Sequence, residues 1–207
     1  MNPADKKLWL DEKTTECLFS DRRISLFRSV FVAPDHRELG PYYSLKLGSY
    51  AVVVAVDESG SFICVRQFRH GIRRITTEFP AGGIVPDSGG ENVREDDSDN
   101  ISIETALRNA KRELLEETGY VSGNWTHLFT VPANSTFADN YAFLFLAAGC
   151  VKMSEQKLDN TEYLETKTYT PEELEALVRE GNFQHPIHIL AWYMAKEKLY
   201  EREETQR

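Results

Sequence analysis

The 207-residue sequence has no apolar run long enough to cross a bilayer. Its longest apolar runs, at 50–56 and 141–150, fall far short of the ~20 residues that a transmembrane helix needs. Residues 1–15 are charged and contain no apolar core of the kind found in signal peptides. We therefore expect a cytoplasmic protein that makes no contact with a membrane.

Cysteine is scarce, and the chain lacks an excess of positive charge, since acidic residues outnumber basic ones by 33 to 24. The three cysteines, Cys17, Cys64 and Cys150, form no CxxC pair and leave an odd count, which predicts reduced thiols rather than a disulfide framework. The formal net charge is −9, whereas nucleic-acid binding needs a basic footprint. We therefore expect no nucleic-acid partner, and a small anionic substrate would need a local patch of positive charge.

What remains is the composition of a compact globular protein. With 41% hydrophobic residues, the chain can build one core and a small appended domain. Alternating and β-branched runs predict strands at 23–32, 42–47, 49–56, 62–68, 76–79, 125–131 and 141–148. Helical spacing and capping residues predict helices at 102–118, from Thr170 onward and at 187–200.

The most informative stretch is Arg112-Glu113-Leu114-Leu115-Glu116-Glu117-Thr118-Gly119-Tyr120. At 3.6 residues per turn, Glu113, Glu116 and Glu117 project to one face of a helix that Gly119 ends. Such a cluster offers oxygen ligands to a hard divalent cation like Mg²⁺, which shares its shell with substrate phosphates. A solvated acidic face is the bland alternative, but a match at five specified positions arises by chance only about once in 10⁶ starts, and about tenfold more often in a chain this acidic.

This run resembles the second half of the box that defines the Nudix hydrolases, which reads R-E-apolar-x-E-E-x-G-apolar. Glu104 also fits that pattern, with seven residues between it and Arg112. Where the pattern has its opening glycine the chain has Ser98, and two glycines, Gly82 and Gly83, stand upstream. Either of these two glycines could open the box.

An insertion at about 86–100 accounts for the displaced glycine. The segment is rich in Asp, Gly, Ser and Glu, so it cannot bury itself and we expect an acidic surface loop. The resemblance implies an α/β fold, namely the Nudix-type α/β/α sandwich with a mixed β-sheet. It further implies a small N-terminal β dimerisation domain at 1–46 and a Nudix hydrolase domain at 47–207.

A second resemblance narrows the family. The segments Val65-Arg66-Gln67-Phe68-Arg69-His70 and Glu78-Phe79-Pro80-Ala81-Gly82 are similar to the ADP-ribose pyrophosphatase branch, which implies a nucleoside diphosphate sugar as substrate. That branch also implies a homodimer that exchanges its N-terminal domains, so that residues 1–46 help to build the partner's pocket. The candidate substrate-binding residues are Arg69 on the diphosphate, Arg66, Glu78, Phe27 and Tyr43. The two aromatic side chains would stack on base or sugar, although aromatic residues in strands also serve as core.

The implied reaction is hydrolysis of a diphosphate bond with Mg²⁺ or Mn²⁺ as cofactor, releasing a nucleoside monophosphate and a sugar phosphate. The candidate metal ligands are Glu113, Glu116, Glu117 and the backbone carbonyl of Ala81. Arg112 is interpreted as the partner that orients this cluster.

The loop after the box departs from the branch pattern. The branch has Ser-Pro-Gly followed by a glutamate, whereas residues 133–140 read Ala-Asn-Ser-Thr-Phe-Ala-Asp-Asn. Asn140 cannot accept a proton, so the base that activates water is Asp139 or Glu116. The third alternative is that a metal-bound hydroxide attacks and no protein base is needed. Two other functions stay open, namely a Nudix-fold nucleotide-sugar sensor without turnover and a Nudix enzyme acting on nucleoside triphosphates.

Overall fold

The computed structural model describes Asn2, residues 5–85 and residues 101–205. Its strands are β1 (Asp11–Ser20), β2 (Ile24–Val32), β3 (Glu38–Leu47), β4 (Tyr50–Asp57), β5 (Phe62–Arg69), β6 (Arg74–Glu78), β7 (Ala81–Gly83), β8 (Tyr120–Val121), β9 (Asn124–Pro132), β10 (Tyr141–Lys152) and β11 (Leu164–Tyr169). Its helices are α1 (Ile103–Thr118), α2 (Pro171–Arg179) and α3 (Pro186–Thr205). The insertion predicted at about 86–100 lies outside the described residues.

The described chain forms two compact units. The first unit contains the residues up to Ser49 together with Pro132–Tyr141, and the second contains the rest. The division of the chain into a dimerisation domain at 1–46 and a hydrolase domain at 47–207 stays a prediction.

The first unit is an antiparallel sheet in the order β1-β2-β3. Its third strand also contacts the 133–140 loop, where the Leu45 N–H donates to the Phe137 carbonyl over 2.7 Å. The sequence predicts only two strands in this unit, at 23–32 and 42–47, and the structure adds β1 before them. None of the side chains of β1 is buried, so hydrophobic periodicity cannot reveal the strand, which is held by its backbone ladder to β2.

The second unit is built on a mixed sheet in the order β11-β5-β4-β10-β8, to which β6, β7 and β9 are added. The central strands β4 and β10 run parallel and are buried along most of their length, as expected for strands covered on both faces. Val52, Val54 and Val56 pack in one core with Leu174 and Trp192 of the C-terminal helices.

The opposite face of β4 carries the other alternating residues, and α1 packs against this strand. The sheet therefore lies between helices, and the predicted α/β sandwich with a mixed sheet is confirmed. Local signals fix the helix ends. Ser102 caps α1, Gly119 ends it with φ 75°, and Thr170 with Glu173 forms a capping box before α2.

The last helix differs from its predicted bounds. α3 begins at Pro186 and continues to Thr205, which is one residue earlier and several residues later than the pattern predicts. Within the part of the chain that the structure describes, no helix is long and apolar enough to cross a membrane.

Candidate metal and substrate site

Helix α1 carries Glu113 and Glu117 on its buried side. Because four positions separate them, the two residues lie one turn apart on the same face of the helix. Ala110 and Leu114 are buried on this side as well. Both glutamates are buried, whereas Glu116 keeps a side chain that is 39% exposed. Burial thus separates Glu116 from the two glutamates that the sequence groups with it.

Strand β7 is fastened to the same face of α1. The backbone N–H of Ala81 donates to the Glu117 carboxylate over 3.0 Å. A Cβ at Gly82 would overlap the Glu113 carboxylate, whereas a Cβ at Gly83 would meet nothing within 4 Å. Gly82 is therefore the glycine that allows the strand to approach the acidic residues.

A third carboxylate reaches this place from the segment between β10 and β11. That segment covers the C-terminal end of α1, where backbone carbonyls have no partner within the helix. The Met153 N–H donates to the Gly119 carbonyl over 2.9 Å, and the Lys157 N–H donates to the Glu116 carbonyl over 2.8 Å. The segment also carries Glu162. The Glu162 carboxylate accepts a hydrogen bond from the Asp159 N–H over 2.9 Å.

The result is a compact acidic group of Glu113, Glu117 and Glu162. One carboxylate oxygen from each lies within 4.8 Å of the others. Burial raises the pKa of Glu117 to about 8, with further contributions from Glu113 and Glu162 and an opposing one from the Ala81 N–H. Burial also raises the pKa of Glu113. An all-oxygen set of crowded carboxylates fits a hard divalent cation such as Mg²⁺ or Mn²⁺.

Arg112 stands at the solvent side of this group. Its guanidinium donates to Glu113 over 2.5 Å and to Glu116 over 2.7 Å. It therefore pairs with the acidic cluster, as the sequence suggests, and it holds Glu116 outside the group of three. The role of Glu116 as a metal ligand stays a prediction.

The basic residues predicted to bind substrate have acidic partners. Arg69 donates from Nε and Nη2 to the two carboxylate oxygens of Glu78 over 2.9 and 2.6 Å. Although burial opposes it, these bonds and one from the Thr76 hydroxyl hold the pKa of Glu78 at about 2. Arg66 pairs with Glu165 over 2.5 Å.

A buried histidine completes the surroundings of Glu78. Burial lowers the pKa of His188 to about 3, so its ring is neutral at pH 7. Its Nδ1 accepts the Phe79 N–H over 3.1 Å, which places the ring proton on Nε2, the atom that lies 3.9 Å from Glu78. Arg69 is therefore the cation that balances Glu78.

A cavity of about 560 Å³ is lined by residues of β4, β5, β6 and β7. Its lining includes Arg69, Glu78 and the start of α3. Ala81 and Gly82 also line it, and the same two residues touch the acidic group on α1. The cavity can therefore hold a ligand whose charged part reaches the carboxylates.

Three predicted site residues belong to the first unit. Phe27 is half-buried in β2, and Tyr43 is exposed in β3. The Asp139 carboxylate accepts the Leu47 N–H over 3.1 Å. The roles of these three residues stay predictions.

Sequence reasoning missed Glu162. It lies in the polar stretch Asp159-Asn160-Thr161-Glu162-Tyr163, which has no periodicity and no recognisable motif. The one available signal is an acidic residue just ahead of a strand, and that signal is too common to select it.

Comparisons with known proteins agree with the sequence motif. The model of the NUDIX domain matches residues 46–193. The chain is 32% identical over 195 residues to an ADP-ribose pyrophosphatase of Bacillus subtilis (strain 168), an alignment that covers 92% of this chain and 96% of that protein. It is 28% identical over 184 residues to a methanol dehydrogenase activator of Bacillus methanolicus, with 87% and 90% covered.

A solved structure supports the fold. The crystal structure of an ADP compounds hydrolase superposes with a TM-score of 0.72 at 15% sequence identity, covering 93% of this chain and 95% of that chain. At this identity the likeness concerns the fold alone.

Proposed function

The chain belongs to the Nudix hydrolase family, and we propose that it hydrolyses the diphosphate bond of ADP-ribose or another nucleoside diphosphate sugar. The products are a nucleoside monophosphate and a sugar phosphate. The observation that carries the proposal is the group formed by the buried Glu113 and Glu117 with the half-buried Glu162, beside a cavity lined by Arg69. This arrangement suits a substrate that brings two phosphates and a metal ion together.

The acidic group is proposed to hold Mg²⁺ or Mn²⁺. Glu113, Glu117 and Glu162 supply carboxylate oxygens, and the backbone carbonyl of Ala81 is a further candidate. When bound, a divalent ion offsets the charge of the diphosphate and lowers the pKa of coordinated water. A bound cation would also oppose the two effects that raise the pKa of Glu117, first its burial and then its repulsion by Glu113 and Glu162.

The arginines have separate tasks in this proposal. Arg112 orients Glu113 and Glu116 through its two hydrogen bonds. Arg69 uses Nε and Nη2 on Glu78 and keeps Nη1 for a phosphate oxygen. A guanidinium fixed on one side by a carboxylate is pre-organised for an anion, because few rotamers remain to be lost on binding.

The base that takes the proton from water is proposed to be a carboxylate. Asp139 and Glu116 are the residues that the sequence suggests, and Glu162 is a third candidate that the structure adds. A carboxylate that holds a divalent cation has a lowered pKa and is a poor base. Asp139 is therefore favoured over Glu162, and variants at the three positions decide between them.

We also propose a homodimer in which the first unit takes part in the partner's pocket. Among the described residues of this unit, Ala33 is the only buried hydrophobic residue. Leu18, Phe19 and Tyr42 are exposed in the single chain. A three-stranded sheet with so little buried apolar surface is not expected to be stable alone. A second copy would cover it and bring Phe27 and Tyr43 close to a bound nucleotide.

A hydrolysis panel tests the function. Purified protein with Mg²⁺ or Mn²⁺ is incubated with ADP-ribose, other nucleoside diphosphate sugars and ATP, and products are separated by anion-exchange chromatography. The proposal expects the highest kcat/KM on a nucleoside diphosphate sugar and no turnover in EDTA. Preferred cleavage of ATP would favour the triphosphate enzyme, and binding without turnover would favour the sensor.

A further inference from the structure

Asn109 is a buried polar residue on α1, one turn before Glu113. Its side chain is almost fully removed from solvent, although the sequence motif assigns it no task. A buried amide is costly unless its hydrogen-bonding groups find partners.

The Asn109 amide pairs with the backbone just after β7 in the manner of a neighbouring strand. Its Oδ1 accepts the Val85 N–H over 3.2 Å, and its Nδ2 donates to the Val85 carbonyl over 3.3 Å. The same Nδ2 donates to the Thr105 carbonyl over 2.9 Å. The side chain therefore fastens the end of β7 to the middle of α1.

The side-chain oxygen of Asn109 also accepts a hydrogen bond from Arg112. The Nη2 of Arg112 donates to Asn109 Oδ1 over 3.3 Å and to the Gly83 carbonyl over 3.4 Å. The same nitrogen contacts the Glu113 carboxylate over 2.5 Å. With both donors and its acceptor engaged, the amide can occupy only one orientation.

We propose that Asn109 is a positioning residue for the metal-binding carboxylates, acting on Glu113 through Arg112. The proposal rests on the proposed function, since it assumes that Glu113 is a metal ligand. Outer partners that orient a ligand contribute to metal affinity even though they never touch the ion. The contact with Asn109 Oδ1 gives the Arg112 guanidinium a fixed point beside Glu113, so it stays directed at that carboxylate.

Two substitutions separate positioning from simple structural support. Asn109→Leu has similar volume and removes every hydrogen bond of the side chain. Asn109→Asp keeps an acceptor for the Val85 N–H and for Arg112 but removes both donors. Both variants lose stability, because Val85 and Thr105 lose a partner, whereas only the leucine variant loses the acceptor for Arg112.

The experiment measures Mn²⁺ binding to the full chain by titration calorimetry, without nucleotide. Thermal unfolding of the same samples is recorded in EDTA. We expect Asn109→Leu to weaken Mn²⁺ binding about tenfold and Asn109→Asp to stay within about threefold of the wild type. Asn182→Leu, at an exposed turn after α2, is the matched control and should leave Mn²⁺ affinity unchanged.

A double variant tests the route through Arg112. If Asn109 acts through the guanidinium, Asn109→Leu adds little to the loss of affinity caused by Arg112→Gln. Wild-type affinity in Asn109→Leu, equal losses in the Leu and Asp variants, or full additivity with Arg112→Gln would each overturn the proposal. A folded wild-type protein that binds no Mn²⁺ would instead refute the metal site itself.

Discussion

Gly82 lies directly against the carboxylate of Glu113, with no room for a Cβ between them. Gly83, the next residue, faces open space. Neither glycine has a positive φ, so the two positions differ in the contact and not in backbone strain. Strand β7 and helix α1 can therefore hold the acidic group together only if residue 82 has no side chain.

The first prediction compares Gly82→Ala with Gly83→Ala. An added methyl at 82 displaces the Glu113 carboxylate, which is the mobile end of a side chain, so the cost falls on the metal site more than on the fold. We expect Gly82→Ala to lower kcat/KM about tenfold or more with a small change in Tm. Gly83→Ala should change kcat/KM by less than about twofold. Equal activity in the two variants would contradict the geometry.

The second prediction concerns Glu117. Replacing it with glutamine removes a charge from the acidic group and keeps the shape of the side chain. We expect kcat to fall about 10²-fold or more at saturating Mg²⁺, with the fold intact by circular dichroism. Glu104→Gln, at an exposed position in the first turn of α1, should cost far less. Retention of more than about a tenth of the activity by Glu117→Gln would remove it from the site.

The third prediction follows from the pKa of Glu117, which is raised to about 8. An unfolded chain releases this proton near the ordinary carboxyl value, so the folded state binds it more tightly and loses stability as pH rises toward 8. Between pH 6.5 and 8 the metal-free protein should lose about 1 to 2 kcal/mol in its free energy of unfolding.

Urea denaturation in EDTA measures this slope. The window avoids His188, whose lowered pKa of about 3 makes stability rise with pH only up to about 6.5. Glu117→Gln should flatten the curve above pH 6.5. A slope of the same size in that variant would assign the proton to another group.

The fourth prediction concerns the general base. Asp139→Asn, Glu116→Gln and Glu162→Gln are compared in kcat as a function of pH and metal concentration. We expect Asp139→Asn to lower kcat at every metal concentration, because the lost group accepts the proton. We expect part of the loss in Glu162→Gln to be recovered at high metal concentration. A wild-type rate in Asp139→Asn would refute the loop residue as base.

The helix that carries the site could be predicted from the sequence because its signals are local. Ser102 and Gly119 mark the ends of α1, and the spacing of Glu113 and Glu117 places both on one face. Periodicity also groups Glu116 with them, since it reports direction around the helix and not burial. Burial depends on what packs against the helix, here β7 against Glu113 and Glu117, and such a tertiary contact leaves no trace in the periodicity of α1.

Glu162 and β1 could not be predicted for the same kind of reason. Glu162 reaches the acidic group only because a distant segment satisfies the carbonyls at the end of α1. Strand β1 is exposed along its whole length and is held by its pairing with β2. Neither relationship leaves a periodic trace in the residues involved.

The fifth prediction is the oligomeric state. Light scattering at micromolar concentration should return twice the chain mass of 23.7 kDa. Charged substitutions at Leu18 and Phe19, exposed in the single chain, should shift the mass toward the monomer and lower kcat/KM together. A wild-type mass near 23.7 kDa would refute the dimer while leaving the metal site unaffected.

The most direct test of the account follows the best substrate of the panel by ³¹P NMR. The metal-free protein is mixed with the nucleoside diphosphate sugar, spectra are recorded, and Mg²⁺ is then added to the same tube. The account predicts that the diphosphate signals persist before the addition. Afterwards they should be replaced by two phosphomonoester signals of equal area, a change that Glu117→Gln does not produce on the same timescale. Cleavage in the absence of metal, or release of inorganic phosphate in place of two monoesters, would contradict it.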